Sequence, residues 1–317
     1  MSKLTILKGL PGSGKTTLAK KMLLADGNLV RVNKDALREM LFAERPWSGK
    51  QEKFVIEVER EIVAKALSWN RGVIVDDTNL RANYWRDFGG DVETIDLTNV
   101  PLAECVERDR KRVGRACVGR GVIERMALEA GLIDLSQYAK IAIVDIDGTL
   151  ANMQHRVKYL QETPKNYRDF YGTVSYDTTH RSVINAVKTL HATGHIIIVL
   201  SGRPTQAEGH INVGQLTDEW LSMYKVPNTH LFMRRAGDYR DDTDVKAELF
   251  SLMEVCGKLD SDAVKIVIDD RERVCQVWRD MQLPLLKVHN NHYVENRTDF
   301  PEALGIPKWE GPPPEDF

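Results

Sequence analysis

A two-domain α/β protein with two parallel sheets is predicted from three observations. At 317 residues, with 42% hydrophobic and 28% charged side chains, the chain exceeds what one core usually organises. Strand-like apolar runs alternate with helical stretches in both halves, the pattern of sheets joined by crossover helices. Each half also begins with an apolar run that stops at a polar turn: Leu4–Lys8 before Gly9, and Ile141–Val144 before Asp145. The expected division is a first α/β domain over 1–137, a second α/β domain over 138–300 and a proline-bearing tail over 301–317.

In order, the first half offers a strand at Leu4–Lys8, a loop at Gly9–Lys15, a helix from Thr16 to Ala25 and a strand at Leu29–Asn33. A polar helix over Glu52–Trp69 is broken by Asn70, Arg71 and Gly72. The buried strand Val73–Asp76 follows, then Val92–Leu97 and the helix Leu102–Arg112. The second half continues with a helix at Ser182–Ala192 stopped by Gly194, a strongly apolar strand at Ile196–Leu200 and a last clear strand at Val264–Ile268. The junction at 134–140 holds no long linker, so the domains are expected to abut.

Charge is balanced, with 44 Lys+Arg against 46 Asp+Glu, and the mean hydropathy of -0.35 excludes a chain disordered throughout. No apolar run reaches the ~18 residues of a membrane span, and nothing near the start reads as a leader, so a cytoplasmic protein is expected. Four cysteines, Cys105, Cys117, Cys256 and Cys275, without a Cys-x-x-Cys pair, are expected to be free. Seven basic residues cluster between Arg108 and Arg125: Arg108, Arg110, Lys111, Arg112, Arg115, Arg120 and Arg125. Such density suits phosphate; a solvated helix face is the alternative.

Gly9-Leu10-Pro11-Gly12-Ser13-Gly14-Lys15-Thr16 satisfies the phosphate-loop pattern between a strand and a helix. Backbone N–H groups freed by the glycines and by Ser13 face the phosphates, with Thr17 continuing the helix start. Lys15 reaches the β and γ oxygens and the Thr16 hydroxyl ligates Mg2+, which makes ATP and Mg2+ the expected cofactors. Asp35 and Arg38, spaced i and i+3, fall on one side of a helix start. They suit a base for an acceptor hydroxyl and a clamp on the acceptor's phosphate, or equally a helix cap and a surface ion pair. Asp77 ends a strand where a second carboxylate supports the metal's water, and Thr78 and Asn79 offer polar groups to an acceptor. Arg108 and Arg112, one helical turn apart, can close over a triphosphate as a lid. Arg115, Arg120 and Arg125 are expected to attract a nucleic acid backbone.

Asp145-Ile146-Asp147-Gly148-Thr149 follows the second domain's first strand and resembles the DxDGT signature of the haloacid dehalogenase phosphohydrolases. The remaining elements occur in order: Ser201-Gly202-Arg203, Lys246, and Asp269-Asp270. The resemblance implies that Asp145 attacks phosphorus while Asp147 serves the leaving oxygen and then water. Ser201 would bind phosphate, Lys246 neutralise charge, and Asp145, Asp147, Asp269 and Asp270 hold Mg2+. Arg156, Arg203 and Asp242 are the further contacts expected around the substrate. The segment from Leu150 to Arg181 is too short for a large cap, and an open site favours a macromolecular or chain-end substrate.

A phosphate-loop kinase followed by a DxDGT phosphatase resembles the bacteriophage type of polynucleotide 5′-kinase/3′-phosphatase over nearly the whole chain. That resemblance implies transfer of the ATP γ-phosphate to a 5′-OH end, with Asp35 as base and Arg38 on the acceptor's phosphate. It also implies removal of 3′-phosphates or 2′,3′-cyclic phosphates. Expected partners are RNA or DNA ends, a ligase acting afterwards and further copies of the chain in a homo-oligomer, with no membrane. The rival reading is a metabolic kinase for a nucleoside or sugar fused to a small-molecule phosphatase.

Overall fold

Gly72–Val75 and Ile141–Val144 are buried at all four positions, as strands covered by helices on both faces must be. In the computed structural model, which describes residues 3–43, 49–81, 85 and 91–289, they anchor two separate parallel sheets. The first domain runs β1 (Lys3–Lys8), α1 (Lys15–Ala25), β2 (Leu29–Val32), α2 (Lys34–Phe42), α3 (Gly49–Ser68), β3 (Gly72–Val75), β4 (Asp91–Asp96), α4 (Leu102–Arg110) and α5 (Arg120–Glu129). Its sheet order is β2-β3-β1-β4, every pair parallel. The phosphate loop after β1 and the acids after β3 therefore leave adjacent strands at one edge, where open α/β sheets bind ligands.

The second domain runs β5 (Ile141–Val144), β6 (Ala151–Asn152), α6 (Gln154–Gln161), α7 (Tyr167–Gly172), β7 (Thr178–Thr179), α8 (Arg181–Ala192), β8 (Ile196–Pro204) and α9 (Val213–Met223). It closes with β9 (His230–Arg234), α10 (Asp242–Val255), β10 (Val264–Asp269), α11 (Glu272–Asp280) and β11 (Leu285–Lys287). The parallel order is β11-β10-β5-β8-β9, so Asp145 just after β5, Asp269 at the end of β10 and Ser201 in the second half of β8 fall on three neighbouring strands. The short insertion is a two-helix cap tied down by the β6/β7 pair. β11 lies beyond the strand expected to be the last; at three residues it is too short to carry a period. The expected tail over 301–317 lies outside the described residues.

α5 is the element that joins the domains. It packs on β9 and α9 of the second domain, and one apolar cluster runs from Leu10, Cys105 and Ile123 through Leu128 to Ile143, Phe232 and Trp278. This corrects the expectation for Arg120 and Arg125. The Arg120 side chain is 12% exposed and pairs with Glu124 at 2.6 Å and Asp218 at 3.3 Å, while its Nη2 donates to the Thr229 carbonyl at 2.9 Å. Arg125, 5% exposed, is held by Glu129 at 2.9 Å and by Glu248, and donates to the Met233 carbonyl at 3.3 Å. Both guanidiniums are spent fastening the domains and are not free for a nucleic acid backbone; nearby acids make such buried positions tolerable. Arg110 adds a 2.6 Å pair to Asp218. The side chain of Arg115 lies outside the described residues. All four cysteines are free, and among the described residues no helix is long and apolar enough to cross a membrane.

Candidate active sites

The phosphate loop is shaped by backbone that only glycine tolerates. Gly12 has φ of 84°, and a Cβ there would stand 2.2 Å from the Cys105 carbonyl oxygen; Gly14, at φ 97°, starts α1. Lys15 folds back onto this loop. Its Nζ donates to the Gly9 carbonyl at 2.9 Å and the Leu10 carbonyl at 2.7 Å, with Ser13 Oγ at 3.4 Å. Burial lowers the Lys15 ammonium to about 8, against the upward pull of Asp76, and Arg112 adds to the lowering. Thr16 and Thr17, in the first turn of α1, are exposed. Arg108 lies over the loop, with Nη1 donating to the Gly12 carbonyl at 3.3 Å. Helix α4 ends at Arg110, so Arg112 is presented from the turn beyond it, fixed by Asp109 at 3.3 Å and the Ala116 carbonyl at 3.3 Å.

On the acceptor side, Asn33 caps α2 by accepting from the Ala36 N–H at 2.9 Å, which aims Asp35 and Arg38 to one side. Arg38 bonds Asp35 and also grips Glu52 of α3 through Nε at 3.0 Å and Nη2 at 2.8 Å. The Asp35 side chain is 84% exposed. The two acids after β3 take different neighbours. Asp76 pairs with Arg31 at 2.6 Å and Asp77 accepts from the Lys34 N–H at 2.9 Å, while Asp76 Oδ1 and Asp77 Oδ2 are buried without a hydrogen-bond partner among the described residues. Behind Asp77 lies Glu59 of α3, fully buried and pushed up to about 9, by burial first and then by Asp77. The Thr78 carbonyl accepts from the Gly9 N–H at 2.9 Å, and Asn79 Nδ2 donates to the Leu7 carbonyl at 2.9 Å. Thr78 and Asn79 thereby fasten the phosphate loop to the sheet.

The second centre is more tightly paired. Lys246 Nζ sits between Asp145 Oδ1 at 2.7 Å and Asp269 Oδ2 at 2.8 Å, and all three are buried. Oxygens of Asp145, Asp269 and Asp270 lie within 4.8 Å of one another. Burial raises Asp145 well above the usual carboxylate range, Lys246 opposing it and Asp269 and Asp270 adding to it; burial and Asp269 bring Asp270 to about 7. Three hard oxygen donors crowded with excess negative charge fit a Mg2+ ion. The Asp147 carboxylate is not among these three. Burial alone would raise it, but Arg156 and Arg203 hold it well below the usual range, Arg203 Nε lying 3.0 Å from Oδ1.

Those two guanidiniums share a residue that the sequence reading missed. Asp177, buried beside β7, accepts from Arg156 Nε at 2.7 Å and from Arg203 Nη2 at 2.7 Å, with His155 Nε2 at 2.9 Å. Its carbonyl is held by Trp220 Nε1 at 2.7 Å. Nothing in the local spacing signals this partnership, because Asp177 lies in the cap insertion far along the chain from Arg203. Ser201 is buried, with Oγ accepting from the Arg203 N–H at 3.2 Å. Asp242 pairs with Arg234 at 3.1 Å and Arg271 at 3.1 Å, and a Cβ on Gly202 would stand 1.8 Å from its Oδ1. Tyr171 of α7 is near enough that, after burial, Asp147 is the next cause pushing its hydroxyl up to about 12.

Comparison with known proteins divides the chain at the same place. Residues 139–293 match the family described as the polynucleotide kinase PNKP phosphatase domain, and residues 4–130 match the family described as AAA domain. A structure of the Pnkp1/Rnl/Hen1 complex is 27% identical, with 90% of this chain and 96% of that chain covered, at a TM-score of 0.40. A second, described as the Pnkp1/Rnl/Hen1 RNA repair complex, is also 27% identical over 90% and 96%, at 0.39. A haloacid dehalogenase family enzyme of Bacteroides thetaiotaomicron, in complex with magnesium and inorganic phosphate, is 13% identical over 49% and 97%, at 0.31.

Proposed function

We propose, for a chain whose residues 139–293 belong to the polynucleotide kinase PNKP phosphatase family and follow an AAA-family domain, that it heals broken polynucleotide ends. The kinase centre moves the ATP γ-phosphate onto a 5′-OH, and the phosphatase centre removes a 3′-phosphate. The products, a 5′-phosphate and a 3′-OH, are the ends that a ligase-class reaction consumes. The observation that carries this reading is the buried Asp145–Lys246–Asp269 group beside an Asp147 held by two arginines, in one chain with a phosphate loop.

In the phosphatase centre, an Asp145 oxygen attacks phosphorus and the bond to the 3′ oxygen breaks, leaving an aspartyl phosphate. That oxygen leaves as a hydroxyl with a proton supplied by Asp147. Water then attacks the aspartyl phosphate, passing its proton to Asp147 and releasing phosphate. In the free site Arg156 and Arg203 keep Asp147 ionised; the negative oxygens of an incoming phosphate favour its protonated form. Lys246 and Ser201 hold the transferring oxygens. Asp145, Asp269 and Asp270 would hold Mg2+, which supplies charge neutralisation at phosphorus.

In the kinase centre, Lys15 exchanges loop carbonyls for phosphate oxygens when ATP binds. Asp35 takes the 5′-hydroxyl proton as its oxygen attacks the γ-phosphorus and ADP departs. Arg38, backed by Glu52, holds a phosphate of the same acceptor, and Arg108 and Arg112 cover the triphosphate. Thr16, with an acid after β3, would hold Mg2+ there. The test is incubation with γ-labelled ATP, Mg2+ and a mixture of 5′-OH oligonucleotides of RNA and of DNA, free nucleosides and sugars. Label on the oligonucleotide supports the reading; label confined to free nucleosides or sugars overturns it in favour of a metabolic kinase.

A further inference from the structure

The cap carries an aromatic pair that the chemistry above does not use. Tyr167 and Tyr171 lie one turn apart on α7, their ring planes 17° apart and their centroids 6.3 Å apart. From Tyr171 a chain of contacts leads into the phosphatase centre. Its ring meets Phe170 edge-on at 5.0 Å, the Phe170 ring lies 4.3 Å from the Arg156 guanidinium, and Arg156 is paired with Asp147. The inner end of this chain is rigid: Phe170 is 5% exposed, and Asn166 caps α7 by accepting from the Asp169 N–H at 3.0 Å. The outer end is open, with Tyr167 41% exposed. A large ring left facing water at the end of a stack, beside a site for phosphate esters, suits a planar occupant attached to that phosphate.

We propose that the Tyr167–Tyr171 stack is the platform on which the 3′-terminal nucleobase rests while its phosphate is removed. The inference rests on the 3′-phosphatase reading and adds what that reading lacks, a contact for the part of the substrate that does not react. Every base has a π-face, so the platform tells a base-bearing end from a bare phosphate ester without selecting among bases. Phe170 and Arg156 tie it to the proton-transfer carboxylate, so a base seated on Tyr167 positions the 3′ oxygen relative to Asp147.

The test compares KM for two single-stranded oligonucleotides with a 3′-phosphate, one with its terminal base and one abasic at that sugar. Wild-type protein is expected to show a KM about 10-fold lower for the base-bearing end, as one base–aromatic stack provides. Tyr167→Ala should bring the two KM values together, and Tyr167→Phe, which keeps the ring, should restore the difference. A wild-type ratio near one overturns the proposal, as does a Tyr167→Ala protein whose two KM values rise equally and keep their ratio. Wild-type protein that hydrolyses p-nitrophenyl phosphate but neither oligonucleotide overturns the end-healing reading itself, and the platform with it.

Discussion

The two centres differ in how much of each is assembled in the free protein. In the phosphatase, Lys246, Asp145 and Asp269 are buried and bonded to one another, and Asp147, Arg156, Arg203 and Asp177 form a closed network of charges. In the kinase, Lys15 is turned onto its own loop and Asp35 is 84% exposed beside Arg38. One centre holds its charges paired and buried; the other leaves its acceptor-side carboxylate open to a ligand. The difference follows from the chemistry. A nucleophilic carboxylate must be held against one phosphorus at low dielectric, which costs less if the counter-charges are already placed. A triphosphate brings its own charge and cation, so a flexible lysine and a lid suffice until it binds.

The sharpest way to break this contrast is at Asp145, the proposed nucleophile. Asp145→Asn should lower 3′-phosphate release by about 10⁴-fold or more, while transfer from ATP continues at its usual rate. On the kinase side, Arg112→Ala should lower kinase kcat by about 10³-fold, as loss of an arginine finger does, and lysine should not replace it. Normal turnover at saturating ATP would return that cluster to a solvated helix face. Asp177→Ala leaves the two buried guanidiniums with Asp147 as their one remaining shared carboxylate. It should cost about 3–5 kcal/mol of stability in denaturant unfolding and lower phosphatase kcat with little change in the kinase.

The smallest effect concerns the helix between the centres. Burial alone would raise Glu124, but His230, Arg120 and the Leu231 N–H more than offset it and leave the carboxyl below its ordinary value. Its stabilisation is therefore present above the unfolded pKa near 4.5 and is lost as pH falls through the lower, folded value. Thermal unfolding between pH 7 and pH 3 should show a loss of domain docking in the wild type and a flatter acid limb in Glu124→Gln. An unchanged acid limb would remove Glu124 from the docking account.

The residues legible in the sequence are those whose chemistry demands a fixed spacing after a strand. Gly9–Thr16, Asp145 with Asp147, Ser201–Arg203 and Asp269–Asp270 are each read within a few positions, and each lies in or just after the last residues of a strand. Asp177, Glu52 and Glu59 were not legible, because their partners lie on other elements and no local period marks a buried acid that meets them only in the folded chain. The same reason misplaced Arg120 and Arg125. A basic helix and an inter-domain buckle have the same composition, and only Asp218, Glu248 and the carbonyls of β9 and its preceding turn tell them apart. α5 itself was unread because its apolar face is completed by the second sheet.

The account's central claim is that one chain carries two separate chemistries for the two ends of one break. It is tested most directly by an oligonucleotide bearing both a 5′-OH and a 3′-phosphate, incubated with ATP and Mg2+ and weighed by mass spectrometry. Wild-type protein should give the 5′-phosphate, 3′-OH product; Lys15→Ala should give only the 3′-OH change and Asp145→Asn only the 5′-phosphate. A folded variant of either kind that loses both conversions, or wild-type protein that leaves both ends untouched, contradicts the claim.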